Sequence, residues 1–262
     1  MKEIYVPQTV TDKIKEFNSK KAQGIHMPFV GTTFMSGGTR SMFWCEVQGR
    51  LIKFMSQGEK YAYLNLIFDP QVVDIKEQYP LDYVRTQEIA KELKIIHPRD
   101  HLTGALRVIT SDFVITYRDE NGLQYRKAVA YKDHFSPKNE ARTKQKLLIE
   151  EKYWKDLDEL HDVKLKADLC LVKTDNLLRF SEQFSKLLTN DQLRHFARTF
   201  FEVIYEHPLD TVKETLFRCA EYLKIQPTSS YKLFANCVLR DLLHLDMHLP
   251  IEFHLPAKFK IG

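Results

Sequence analysis

Paired cysteines are missing from this sequence. Its four, Cys45, Cys170, Cys219 and Cys237, lie far apart. Neither a zinc site nor a disulfide framework is indicated, and each reads as a small buried hydrophobe in a reducing compartment. No apolar run approaches membrane-spanning length. The opening residues, Met-Lys-Glu-Ile-Tyr-Val-Pro, lack the apolar core of a signal peptide. A cytoplasmic location without a membrane partner is expected. There is no internal repeat and no low-complexity tract. A loop around Gly37, Gly38 and Arg40 is no phosphate-binding fingerprint, because no helix with the required spacing follows it. An excess of either charge is nearly absent as well, with 39 Lys and Arg against 35 Asp and Glu. The net charge of +4 permits a nucleic-acid partner without arguing for one, since a surface patch matters more than a total. What remains is an ordinary globular composition over 262 residues, enough for one large domain or two smaller ones.

The informative stretch is 108–132. Two runs rich in β-branched and aromatic residues flank Asp119-Glu120-Asn121-Gly122, and the Asn-Gly step is a strong hairpin signal. Asp112 sits inside the first run and Lys132 closes the second. If Glu120, Asn121 and Gly122 form a three-residue loop with Gly122 left-handed, Asp112 faces Ala130, and Asp112, Ala130 and Lys132 share a face. A two-residue loop would send Asp112 and Lys132 to opposite faces. A carboxylate beside a lysine is what metal-dependent phosphodiester cleavage needs: the acid holds the cation, and the ammonium stabilises charge near the attacked phosphate. The plainer reading is a solvated ion pair worth little.

Residues 11–24 suggest a short basic helix whose Lys13, Lys15, Lys20 and Lys21 could meet phosphates or simply form a solvated face. Two strands joined at Gln48-Gly49 follow. Ser56 and Glu59 fit a capping box opening a helix through about Phe68, stopped at Asp69-Pro70. A strand is expected at 72–75 and a helix near 85–93. Ser136-Pro137 starts a helix running to about Trp154. Periodicity leaves open whether Glu150 or Glu151 faces the sheet. Leu169 to Val172 reads as the last strand of the first domain. Helices are then expected near 176–188, 190–205, 209–223 and 229–243. His244 and His248 have metal-compatible helical spacing, but with no clustered partner they read as surface or structural histidines. The segment from Leu249 to Ile261 reads as a wing-like hairpin or a tail that docks on a partner.

Six segments taken together resemble the TnsA family, the endonuclease subunits of heteromeric cut-and-paste transposases. They are Ser-Gly-Gly-Thr-Arg at 36–40, Ser-Gln-Gly-Glu at 56–59, Val-Val-Asp-Ile-Lys-Glu-Gln-Tyr-Pro-Leu at 72–81, Thr-Ser-Asp-Phe at 110–113, Ala-Tyr-Lys at 130–132 and Ile-Glu-Glu-Lys-Tyr-Trp at 149–154. The resemblance covers the first two thirds of the chain. It implies an α/β, restriction-endonuclease-like mixed sheet flanked by helices over 1–173, then a helical, winged-helix-like partner-binding domain over 174–262. It carries the family's catalytic residues onto Glu59, Asp112, Lys132 and Glu150, with Glu59, Asp112, Glu150 and the Tyr131 carbonyl as metal ligands and Asp69 as a further acid. Mg²⁺, with Mn²⁺ as substitute, is the implied cofactor. Lys13, Lys20 and Arg40 are candidate DNA contacts. The implied partners are transposon-end DNA, an integrase-type transposase subunit and an AAA-type ATPase regulator bound through the C-terminal domain. One departure stands out: Ala130 occupies a position where the family carries a ligating side chain. A free-standing restriction-type endonuclease and a catalytically inactive docking module are the alternatives.

Overall fold

The computed structural model describes residues 5–30, 39–100, 102–135, 137 and 140–260. Gly37, Gly38 and the expected helix cap Ser136 lie outside them. Contacts divide the chain into two compact units. The first comprises Met1–Phe43, Ile52–Lys60 and Gln71–Asp168; the second comprises Trp44–Leu51, Tyr61–Pro70 and Leu169–Gly262. No helix among the described residues is long and apolar enough to cross a membrane.

The chain opens with α1 (Gln8–Ala22), whose last turn carries Lys20 and Lys21 where the helix dipole favours cations. Strands β1 (Ser41–Cys45) and β2 (Arg50–Phe54) follow, turning at Gly49 with φ +64°. Helix α2 (Gln57–Ile67) leads to β3 (Val72–Pro80). This strand runs five residues past the expected 72–75, because Lys76, Glu77, Tyr79 and Pro80 also pair with the next strand. Helix α3 (Tyr83–Glu92) is capped by the Asp82 carboxylate, which accepts the Val84 and Arg85 N–H groups.

The central hairpin is β4 (Thr110–Arg118) and β5 (Gln124–Lys132). Arg118 pairs with Gln124, Asp119 N–H donates to the Leu123 carbonyl, and Gly122 has φ +83°. These are the features of the three-residue loop. Helix α4 (Glu140–Lys155) then crosses over to β6 (Leu160–Leu165), which lies parallel to β5. Such a connection is needed because parallel neighbours cannot be joined by a tight turn. The result is a mixed four-stranded sheet, β3-β4-β5-β6, flanked by helices, and it fits a restriction-endonuclease-like domain. Its core gathers Phe17 of α1, Ile89 of α3, Val114 and Ala128 of the sheet, and Ile149 and Trp154 of α4.

The strand expected at 169–172 is not one. The last strand is β6, and Leu171 already belongs to helix α5 (Leu171–Ser181). A short apolar run does not distinguish strand from helix. Here Leu171, Thr174, Leu177, Leu178 and Ser181 continue it at helical spacing. The 173/174 boundary falls inside α5. Helices α6 (Asn190–Glu206) and α7 (Val212–Leu223) start at capping boxes on Thr189 and Thr211, and α8 (Pro227–Leu239) starts at a proline. Phe180, Phe196, Phe200 and Phe234 form the aromatic centre of this unit. Since α8 ends at Leu239 and Asp241 is left-handed (φ +55°), His244 and His248 do not share a helix. Residues 249–260 form turns, with one isolated antiparallel bridge between Leu245 and Phe259. They fold onto their own unit: the Phe253 and Leu255 carbonyls accept the first N–H groups of α7, from Lys213 and Val212.

Candidate active site

The β4–β5 ladder stops at Phe113↔Val129, one residue short of Asp112. There a side chain replaces the backbone as acceptor. Asp112 Oδ2 takes the Tyr131 N–H at 2.8 Å and the Lys132 ammonium at 3.0 Å, while Lys132 Nζ also donates to the Tyr131 carbonyl at 2.6 Å. Burial alone would raise the Asp112 carboxyl. The positive charges of Lys132 and Lys146 outweigh burial and hold it below the ordinary carboxylate range. Burial likewise opposes the Lys132 ammonium, yet Asp112, with Glu150 and Glu59 adding to it, raises its pKa.

Helix α2 brings the second acid. Glu59 N–H donates to Ser56 Oγ at 3.1 Å, which is half of the expected capping box. The carboxylate does not complete the box on the Ser56 N–H. Glu59 Oε2 instead accepts the Met55 N–H at 2.9 Å and the Gln78 side-chain amide at 3.2 Å. Gln78 is buried with a left-handed backbone (φ +48°), and its Oε1 accepts from Thr110 Oγ1. Its type and position gave no sign of this role in the sequence. Burial, then the negative charge of Asp112, push the Glu59 carboxyl up to about 7 against the Met55 N–H, Lys132 and Gln78. The start of α2 must approach β5 closely, because a Cβ on Gly58 would lie 2.4 Å from the Tyr131 ring. Burial, then the hydrogen bond to Asp133, raise the Tyr131 phenol above its usual range.

Helix α4 brings Glu150, which is 1% exposed, whereas Glu151 is exposed. Glu150 Oε1 lies 3.6 Å from His161 Nε2 of β6, and neither atom has a hydrogen-bond partner among the described residues. Sequence reasoning missed His161, whose neighbours Glu159 and Asp162 do not form a recognisable ligand spacing with it.

Residues 69–159 match the family model described as TnsA-like endonuclease N terminal. This region is TnsA-like. A relative, the transposon Tn7 transposition protein TnsA of Escherichia coli, is 30% identical over 123 residues, which cover 45% of this chain and 42% of that protein. The match therefore spans less than half the length of that relative. The TnsA-like region contains Asp112, Tyr131, Lys132 and Glu150, while Glu59 precedes it and His161 follows it.

The other expected positions are more scattered. Lys13 lies over the Phe29 ring, 4.8 Å from its centroid, and burial lowers its pKa. Lys20 is half-buried in the last turn of α1, and Arg40 is half-buried just before β1. Asp69 belongs to the second unit, where it lines a cavity of about 460 Å³ with His244 and His248. Among the described residues no three His, Cys, Asp or Glu side chains gather closely enough to hold a metal by themselves. The donors that do converge are hard oxygens. Glu59 is buried, Asp112 is half-buried within electrostatic reach of it, and burial, then the Asp112 charge, raise the Glu59 pKa. Two carboxylates fit a hydrated Mg²⁺, which keeps several waters and needs few protein oxygens.

Proposed function

We propose that this chain is the DNA endonuclease subunit of a two-subunit transposase, cutting the 5′ ends of the transposon by Mg²⁺-dependent phosphodiester hydrolysis in the cytoplasm. The observation that carries the reading is the Asp112–Lys132 pair, 3.0 Å apart at the end of the central hairpin, beside a buried Glu59 raised to about 7. Glu59 and Asp112 would hold the cation, joined by the Tyr131 carbonyl once Lys132 turns from it to the phosphate. Glu150 would extend the donor set. The cation would supply Lewis-acid polarisation of the phosphate and lower the pKa of a water. Lys132, kept protonated by its neighbours, would orient the attacking water and meet charge developing on the phosphate.

DNA would be gripped through phosphates by Lys13, Lys20, Arg40 and the basic face of α4, contacts that position DNA without reading its sequence. End recognition would then fall mainly to the integrase-type partner. We read 174–262 as a winged-helix-like domain that binds an AAA-type ATPase regulator. Support comes from helices α6–α8, the Leu245–Phe259 bridge, and Tyr205 and Leu209, which are about nine-tenths exposed. One observation favours a second reading, a catalytically inactive docking module: Ala130 brings no donor where the TnsA resemblance expects one. A free-standing restriction-type endonuclease would cut plasmid DNA alone.

The test is strand-resolved cleavage of transposon-end DNA with Mg²⁺, the partner transposase and the ATPase. Lys132→Ala should lower 5′-strand cutting by roughly 10²-fold or more, as loss of a charge-stabilising group does, and leave 3′ cutting and joining intact. Wild type that makes no 5′ cut while 3′ chemistry proceeds would establish the docking module. A cut that survives both Lys132→Ala and Asp112→Ala would remove the site assignment.

A further inference from the structure

We propose that His161 is a metal ligand, forming with Glu150 a nitrogen–oxygen donor pair that seats a divalent transition-metal ion on the sheet face that carries Ala128 and Ala130. The inference rests on the nuclease reading above for the place of Glu150 in a cation site. Its evidence lies in the β5–β6 register and in two buried atoms.

Strand β6 pairs with β5 in parallel, with Ala128 opposite His161, Ala130 opposite Val163 and Lys132 opposite Leu165. Directly paired residues project from the same side of a sheet, and every second residue returns to it. His161 therefore shares a face with Ala128, Ala130 and Lys132, the face that α4 covers with Ile149 and Glu150. On that face β5 contributes only methyl groups at 128 and 130, and both alanines are buried.

A carboxylate oxygen and an imidazole nitrogen approach each other on this face. Their side chains are 1% and 6% exposed. At 3.6 Å, Glu150 Oε1 and His161 Nε2 are farther apart than a hydrogen bond allows, and no other group among the described residues meets either atom. Buried polar atoms left unmet cost free energy, and native structures rarely keep two facing each other. An ion bound about 2.1 Å from each atom would satisfy both at this separation. Two protein donors leave the remaining positions for water. Imidazole beside carboxylate favours Mn²⁺, Co²⁺ or Zn²⁺ over Mg²⁺.

The experiment uses the full chain with Mn²⁺ alone, without DNA. Electron spin-echo modulation of the Mn²⁺-loaded wild type should show a coupled ¹⁴N nucleus, and His161→Ala should lose it. Mn²⁺ affinity should fall roughly tenfold or more in that variant, while Mg²⁺ affinity stays unchanged. Bound Mn²⁺ with no nitrogen coupling in the wild type, equal Mn²⁺ affinity in His161→Ala, or no Mn²⁺ binding at all would each overturn the assignment. The wild-type spectrum decides even if the variant folds poorly. The nuclease reading stands or falls separately, on Mg²⁺-dependent 5′-strand cutting and its loss in Lys132→Ala.

Discussion

Both compact units bury polar side chains, and they treat them in opposite ways. In the helical unit, Asn176 donates to the Met247 and Leu249 carbonyls and accepts the Ile251 N–H. Asn236 donates to the Gln183 and Lys232 carbonyls and accepts the Ser185 N–H. Both amides are neutral and use donor and acceptor alike. In the sheet unit neutral groups such as Ser111 and Gln78 are also bonded, but the carboxyls of Glu59 and Asp112 are displaced in opposite directions, and Glu150 Oε1 and His161 Nε2 face each other without a hydrogen bond. Saturated polar burial tethers chain segments, whereas frustrated polar burial marks a place kept for something else to bind. The contrast sets saturated against unsaturated polar burial inside one molecule.

The largest effect should appear on the saturated side. Asn236→Ala strands the Ser185 N–H and the Gln183 carbonyl in a buried place, and each unmet group costs about 1–3 kcal/mol. Urea denaturation should show a loss of about 2–4 kcal/mol. A loss below about 0.5 kcal/mol, the ordinary range for surface substitutions, would mean that water readily replaces the amide, and the contrast would fail there.

On the frustrated side the sign should reverse. The folded Glu59 pKa of about 7 lies above its ordinary 4.5, so the native state holds that proton more tightly than the unfolded chain. Stability from this group is present below pH 4.5 and is lost as pH rises through 7. In metal-free buffer, Glu59→Gln should remove a decline of about 2–3 kcal/mol between pH 5 and pH 8. The variant should therefore match wild type at pH 5 and exceed it at pH 8. Melting curves with the same pH slope in both proteins would show that Glu59 ionises freely.

What was legible in the sequence was local. The hairpin follows from β-branched runs around one Asn-Gly step, the Asp112–Lys132 proximity follows only for the three-residue one of the two loop lengths, and cap and break residues place most helix starts to within a few residues. What was not legible depends on contacts between distant segments. Strand β6 pairs in parallel across the whole of α4, and its residues, Leu-His-Asp-Val-Lys-Leu, lack the clean apolar alternation of a half-buried strand. His161 disappears with it. The choice between Glu150 and Glu151 turns on how α4 rotates against the sheet, which neighbouring apolar residues do not fix. Gln78 acts through a left-handed backbone and a partner nineteen residues earlier, neither of which its type announces.

The smallest effect probes how tightly α2 is set against β5, and so how firmly Glu59 is placed. Alanine at position 58 would put its Cβ 2.4 Å from the Tyr131 ring and 2.5 Å from Asp133 Oδ1. Asp133 is exposed and can yield, but Tyr131 is buried and cannot move without disturbing the strand that carries Lys132. Overpacking of this kind costs about 1–3 kcal/mol. Replacing a helical glycine returns about 0.5–1 kcal/mol, so Gly58→Ala should show a net loss of roughly 1 kcal/mol. If the ring is the obstacle, combining Gly58→Ala with Tyr131→Leu should make the two changes non-additive, the double variant being more stable than the sum of the singles by about 1 kcal/mol. Simple additivity would instead place the obstacle in the backbone. The frustrated cluster would then be held by the sheet alone, without help from the start of α2.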